Sequence, residues 1–280
     1  MMITFGPGGN SLSWGKRKFP VDLPSYLAKL GLNGYEIECG RGVRISESTV
    51  NELPRIAAEN GIYVTLHAPY FISLSSVEEE KRQNSVNYIL ESARAAKSVG
   101  AQKIVVHSGS CSKMTRAEAL YLASGTLKRA QAALDENGLS EIIICPETMG
   151  KINQLGTLEE VLELCKVDER FLPTVDFGHL NARTLGEIKS REDYAKMMDL
   201  IENELGHERL SNMHIHFSKI EYTKGGEKKH LTFADDRFGP QFEPLMEEIH
   251  ARKLSPSVIC ESDGTQAEDA AAMKKYYESL

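Results

Sequence analysis

Residues 93–109 read Ala-Arg-Ala-Ala-Lys-Ser-Val-Gly-Ala-Gln-Lys-Ile-Val-Val-His-Ser-Gly. Residues of high helix propensity run up to Val99, and Gly100 stands where a left-handed helix cap favours glycine. A short β-branched run, Lys103–His107, follows and ends on a histidine. The order is helix, glycine, strand, polar residue. Moving upstream, the helical stretch Glu78–Val99 is preceded by the run Tyr63–His67, which also ends on a histidine. Downstream, the stretch Arg116–Asn137 leads into Glu141–Glu147, which ends on a glutamate. The same unit recurs along the chain, with further strand-like runs at Ile3–Phe5, Gly34–Glu38, Leu172–Phe177, Asn212–Phe217 and Pro256–Glu261.

The helical segments between these runs carry boundary signals. Glu47–Asn60 shows apolar residues at three- and four-residue spacing, and Gly31, Gly61, Gly100 and Gly138 follow four helix ends. Thr157 with Glu160 three residues on predicts a capping box. Strand and helix alternating eight times read as parallel βαβ units, and a closed (β/α)8 barrel, an α/β fold, accounts for the count. No G-x-G-x-x-G follows the first strand, and Gly6-Pro7-Gly8-Gly9 reads as a turn.

Composition agrees with one domain spanning residues 1–280. The chain is 41% hydrophobic and 26% charged, with no low-complexity tract to mark a linker. A net charge of −7 argues against a protein that coats nucleic acid by charge alone. The five cysteines are odd in number and lack a C-x-x-C pair, which disfavours both a disulfide framework and a thiolate zinc site. The N-terminal stretch lacks the pattern of a signal peptide, and no run of about 18 apolar residues predicts a membrane span. A cytoplasmic protein is expected.

Chemistry-bearing residues gather at the strand ends. The third and fourth strands end in His67 and His107, and the fifth in Glu147. Asp176 and His179 close the sixth, His214 and His216 belong to the seventh, and Glu261 closes the eighth. In such a barrel these ends converge on the C-terminal mouth, where active sites are built. Imidazole mixed with carboxylate suits zinc, manganese or iron. A lone histidine after an apolar run is more often a satisfied core residue. Of eight histidines, however, only His207 and His250 fall in segments read as helix. His214 and His216 share one face of a strand. The reading takes His214 as the ligand and His216 as packing beneath or orienting it. The loops after the strands are also rich in lysine and arginine, a cationic rim suited to a phosphate backbone.

The motifs Leu66-His67-Ala68-Pro69-Tyr70, Val105-Val106-His107-Ser108-Gly109, Pro146-Glu147-Thr148, Val175-Asp176-Phe177-Gly178-His179, Met213-His214 with Ser218-Lys219, and Cys260-Glu261 together resemble the endonuclease IV family of apurinic/apyrimidinic nucleases. The resemblance runs nearly end to end. It implies a zinc-dependent hydrolase that cuts double-stranded DNA 5′ to abasic sites, acting as a monomer with two or three zinc ions, manganese being acceptable in some sites. His67 and His107 would share one ion with Glu147; Asp176, His214 and Glu261 would complete a second; His179 and His230 would hold a third. The family places an aspartate in the third set where this chain has Lys228. Glu147 and Glu261 would be catalytic, and Tyr70, Arg41 and Lys219 would contact DNA.

The same strand ends also resemble the sugar isomerases and epimerases of the xylose-isomerase-like barrels. There one ion on Glu147, Asp176, His214 and Glu261 suffices, and the other histidines have no evident use. A non-catalytic metal-binding barrel that recognises damaged DNA or a phosphosugar is the third reading.

Overall fold

The computed structural model describes residues 2–280. Seven short strands come first: β1 (Thr4–Pro7), β2 (Gly34–Glu38), β3 (Tyr63–His67), β4 (Lys103–His107), β5 (Ile143–Glu147), β6 (Thr174–Asp176) and β7 (His214–Phe217). An antiparallel hairpin follows, β8 (Lys219–Thr223) and β9 (Gly226–Leu231), before the last strand, β10 (Ser257–Cys260). Without the hairpin, the strands form one eight-stranded sheet in the order β1-β10-β7-β6-β5-β4-β3-β2. Its paired strands are all parallel. A bridge between Gly8 and Glu36 brings the two ends of the sheet together, backed by Asn33 N–H donating to the Phe5 carbonyl at 3.2 Å. The result is a nearly closed (β/α)8 barrel.

The seam between β1 and β2 explains why the first strand runs further than its apolar residues suggest. A Cβ on Gly6 would stand 2.0 Å from the Gly34 carbonyl oxygen, so only glycine lets these backbones approach. Gly6 and Pro7 therefore belong to β1 rather than to a turn. Only Gly9, with φ of 69°, takes a conformation that requires glycine there.

Among the described residues ten α-helices accompany the strands: α1 (Leu23–Leu30), α2 (Glu47–Asn60), α3 (Glu79–Val99), α4 (Arg116–Glu136), α5 (Leu158–Cys165), α6 (Phe177–Arg183), α7 (Arg191–Leu205), α8 (His207–Ser211), α9 (Glu243–Arg252) and α10 (Gln266–Tyr277). The bounds of α2, α3 and α4 lie within one residue of those read from spacing and capping glycines. Val86, Ile89, Ala93, Ala96 and Val99 recur along α3 and are buried, so a single stripe faces the core. Thr157 and Glu160 form the expected capping box at α5, with Glu160 N–H donating to Thr157 Oγ1 at 3.3 Å and Thr157 N–H to Glu160 Oε2 at 2.9 Å.

Two segments depart from the sequence reading. His179 lies in the first turn of α6, not on a loop, because Asp176 caps that helix by accepting the His179 N–H at 2.7 Å. The lysine-rich stretch after β7 is the β8–β9 hairpin, not an irregular loop. Its alternation is masked because β9 begins Gly-Glu-Lys-Lys, with little apolar content. Among the described residues no helix is long and apolar enough to cross a membrane.

The seam yields a stability test. Gly6→Ala is expected to lower unfolding free energy by about 3 kcal/mol, the upper range for an inserted methyl that cannot be accommodated. Urea denaturation checks this, and an unchanged midpoint would show that β1 and β2 can part freely.

Candidate metal centre

At the C-terminal mouth the strand ends line a cavity of roughly 600 Å³ that includes Glu38, His67, His107, Glu147, His179, Glu227, His230 and Glu261. Glu147, buried at the tip of β5, belongs to two of the side-chain groups there. One carboxylate oxygen, Oε2, lies 3.5 Å from His67 Nε2 and 3.3 Å from His107 Nε2, too poorly aligned for hydrogen bonds. The other, Oε1, accepts from His216 Nδ1 at 2.9 Å. Ligand atoms of Glu147, Asp176, His216 and Glu261 all fall within 4.8 Å of one another, as do those of His67, His107 and Glu147, and those of His179, Glu227 and His230. These three groups could each hold a metal ion.

Backbone groups set the direction of several imidazoles. His67 Nδ1 hydrogen-bonds to the Ala68 carbonyl at 2.8 Å, and His179 Nδ1 to the Thr148 carbonyl at 2.9 Å. A carbonyl only accepts, so in both rings Nδ1 carries a proton and Nε2 is the nitrogen that faces the cavity. His230 Nδ1 meets Ser218 Oγ at 2.9 Å.

The crowding of charge shows in the titrating groups. Burial pushes the Glu261 carboxyl up to about 8 against the pull of His216, and the Glu147, Asp176 and Glu38 carboxylates add to the rise. Glu147 is driven the other way. Burial opposes its charge, but His216 beside it holds the carboxyl well below its usual range. Burial disfavours a charged His67, yet Glu147 and Glu38 outweigh it and lift the imidazole to about 10. His107, more strongly affected by burial than by Glu147, falls to about 3. For His179, burial is outweighed by Asp176, Glu227 and Glu147, leaving it at about 9.

The description "xylose isomerase-like TIM barrel" belongs to the family model that matches residues 24–279. The chain belongs to this family. An uncharacterized protein of Methanocaldococcus jannaschii is 32% identical over 278 residues, 99% of this chain and 98% of that one. A probable endonuclease 4 of Mycoplasma pneumoniae is 30% identical over 164 residues, covering 56% of this chain and 53% of that protein. Apurinic-apyrimidinic endonuclease 1 of Schizosaccharomyces pombe is 26% identical, with 56% and 45% covered. The matches thus span about half the length of these two endonucleases. Among solved structures, a D-tagatose 3-epimerase-like protein superposes with a TM-score of 0.71 at 21% identity, covering 99% of this chain and 97% of that one. Endonuclease IV from Thermus thermophilus gives 0.68 at 18%, covering 99% and 100%. At such identities both speak to the fold alone.

Within this xylose isomerase-like barrel, the structure brings His67, His107, Glu147, Asp176, His179, His230 and Glu261 to one mouth. His214 is not among them. It sits deeper on β7, with Nδ1 at 2.7 Å from Ser257 Oγ and Nε2 at 2.9 Å from Glu36, and is wholly buried. His216, two residues nearer the strand's C-terminal end, takes the place beside Glu147, Asp176 and Glu261. Both side chains share the strand's inner face, and only depth along the barrel, absent from local spacing, separates them. Glu227 fills the gap left by Lys228: its Oε2 lies 3.6 Å from His179 Nε2. Lys228 points elsewhere, to Glu221 at 2.6 Å. Spacing also misses Glu36 and Glu38, although their two-residue offset at the end of β2 is the same signal that marks β7.

The cationic rim is thinner than the loops suggest. Lys219 is buried, its ammonium donating to the Phe233 carbonyl at 3.0 Å and to that of Asp235, so it is not poised for DNA. Arg183 donates to the carbonyls of Met149, Lys151, Ile152 and Gln154, bracing the loop after β5 instead of facing solvent. Arg41, Arg44, Lys113 and Lys151 remain exposed, and Tyr70 stands 53% exposed against Gly40.

Gly150 makes room for the third group, since a Cβ there would meet Glu227 Cβ at 2.6 Å and His179 Cδ2 at 3.0 Å. Gly150→Ala is expected to separate Glu227 from His179 and to remove about one ion per chain by elemental analysis, with the circular dichroism unchanged. Full metal retention would show that the third group holds none.

Proposed function

We propose that this barrel is a zinc-dependent phosphodiesterase that cleaves double-stranded DNA 5′ to abasic sites. The observation that carries the reading is the division of Glu147 between two ligand groups, with a third group, His179, Glu227 and His230, alongside. The donors fit divalent ions. Glu147 Oε2 and Asp176 Oδ2 are buried without hydrogen-bond partners, a costly state that a cation relieves. Mixed imidazole and carboxylate sets suit zinc, and the carboxylate-rich one also suits manganese. His67 and His107 with one Glu147 oxygen would hold one ion, Asp176, His216, Glu261 and the other oxygen a second, and the third group another.

Bound zinc supplies Lewis acidity and a water of lowered pKa, which phosphodiester hydrolysis at neutral pH requires. The chain's own part is orientation and proton handling. Glu261, with its side chain 17% exposed at the cavity wall, is placed to align a water and take up its proton at a carboxylate oxygen. Tyr70 lines the mouth with exposed Phe71 packed on its ring as an apolar wedge, and exposed Arg41 stands between Gly40 and Gly42, which those two rings approach, available to a phosphate. A missing base lowers the unstacking cost of drawing the lesion in.

The quartet Glu147, Asp176, His216 and Glu261 alone supports a second reading, a sugar epimerase like the first solved relative named above. The remaining imidazoles weigh against it, because a one-ion enzyme leaves them without a task.

Metal content separates the two readings: two or three ions per chain are expected for the nuclease, one for the epimerase. Glu261→Gln is expected to abolish cleavage of an abasic oligonucleotide while binding persists in a gel-shift assay; undiminished turnover would defeat the assignment. Because His67 and His179 are held protonated at neutral pH, loading must displace their protons. Zinc affinity is therefore expected to rise as pH increases from 7 toward 10. Calorimetry in buffers of different ionisation enthalpy should register proton release, and its absence would contradict the ligand sets.

A further inference from the structure

The loop after β5 carries Gln154 to the junction of two cavities. Its side chain lines the mouth and also a side pocket of roughly 280 Å³, and Tyr70 and His107 are the residues that line both with it. Phe71, Ser73, Gly109 and Ser110 form much of the rest of the side pocket. The backbone of Gln154 is fully engaged. Its N–H donates to the Lys151 carbonyl at 3.0 Å, and its carbonyl accepts from Arg183 at 2.7 Å and from Arg116 at 3.0 Å. The side chain is not. Among the described residues no group hydrogen-bonds to its Oε1, although that atom is buried. An acceptor cut off from both water and partner is costly, and in a cavity wall it points to a ligand that relieves it. Gln266 Oε1 is a second such atom in the mouth, but Gln266 does not line the side pocket.

We propose that Gln154 is a specificity-determining residue whose amide oxygen accepts a hydrogen bond from the C1′ hydroxyl of an abasic deoxyribose. This deepens the nuclease reading and rests on it. An amide oxygen needs a donor, and inside a DNA strand donors are scarce. The 3′ and 5′ oxygens are esterified, the phosphates only accept, and every remaining donor belongs to a base. Loss of a base leaves a hemiacetal hydroxyl at C1′, the one donor that the sugar–phosphate chain then offers. The last torsion of a glutamine is soft, so the oxygen can swing to an entering hydroxyl while the clasped backbone stays in place. His107, at the same junction, belongs to one of the three ligand groups, so a sugar held there lies beside the centre proposed for hydrolysis. A site built to bond a hydroxyl rejects the analogue that lacks it, because its own polar atom is left unpaired.

An oligonucleotide with a natural abasic site is compared with one carrying tetrahydrofuran, which lacks only the C1′ hydroxyl. With zinc bound, wild-type protein is expected to show kcat/KM roughly 10- to 100-fold higher for the natural site. Gln154→Met keeps the backbone clasp, but its thioether is a weak acceptor. It is expected to bring the natural site down to the rate of the tetrahydrofuran site, which itself changes little. Fluorescence anisotropy in a Glu261→Gln background is expected to show the same preference in affinity. General damage to the fold cancels in this ratio, and the wild-type comparison decides even if the variant fails to fold. Wild-type indifference to the hydroxyl, or a preference that survives in Gln154→Met, would overturn the inference and leave the nuclease reading standing. Equal loss on both substrates, the sign of an amide donating to phosphate, would also overturn it. Wild-type protein that neither binds nor cuts either oligonucleotide would defeat the nuclease reading, and the inference with it.

Discussion

Three carboxylates, Glu36, Glu147 and Asp176, are buried at one end of the barrel, with part-exposed Glu261 and exposed Glu38 beside them. Ionised together they would repel strongly, because low local dielectric magnifies every unit of charge. The structure contains this by interleaving imidazoles between them. His216 touches Glu36 and Glu147, His67 and His107 flank Glu147, and His179 stands between Asp176 and Glu227. The opposite displacements of Glu147 and Glu261 follow from this arrangement. Glu147, with imidazole on its flank, is held well below the usual carboxylate range, whereas for Glu261 burial, with the neighbouring carboxylates, outweighs His216 and raises the carboxyl. Everything else at the mouth is arranged around that balance.

The eightfold alternation was legible because it rests on local signals. Glycines at helix ends, a capping box and β-branched runs are short-range features, and Thr157 with Glu160 or Gly100 after Val99 can be read without knowing what they pack against. The gathering of His67, His107, Glu147 and Glu261 was legible for a related reason: parallel βαβ units bring every strand's C-terminal end to one side. Depth along the barrel axis was not legible. His214 and His216 sit on the same face of one strand, and which of them reaches the mouth depends on stagger between β6, β7 and β10, a property of the whole sheet.

The hairpin β8–β9 escaped for a different cause. Its strands are rich in lysine and glutamate, and only Lys219, Ile220 and Gly226 in them are buried, so the alternation that marks a half-buried strand is weak. Glu227 was thereby hidden: only once β9 pairs with β8, and Gly150 offers no side chain to obstruct it, does this residue reach His179. Lys219 shows the converse. A lysine in a strand-end loop reads as solvated, yet backbone carbonyls from residues 233 and 235 capture it once the chain turns back.

Arg116 and Arg183 clasp the loop after β5 from two helices. Between them they occupy the carbonyls of Met149, Lys151, Ile152 and Gln154, and Arg116 is itself anchored by both oxygens of Glu160. A wall tied down at so many points has little freedom left to surrender when something enters, so docking there forfeits little chain entropy. Accommodation must then come from the guest. Stiff, undistortable molecules would be turned away at this side of the opening, and pliable ones admitted.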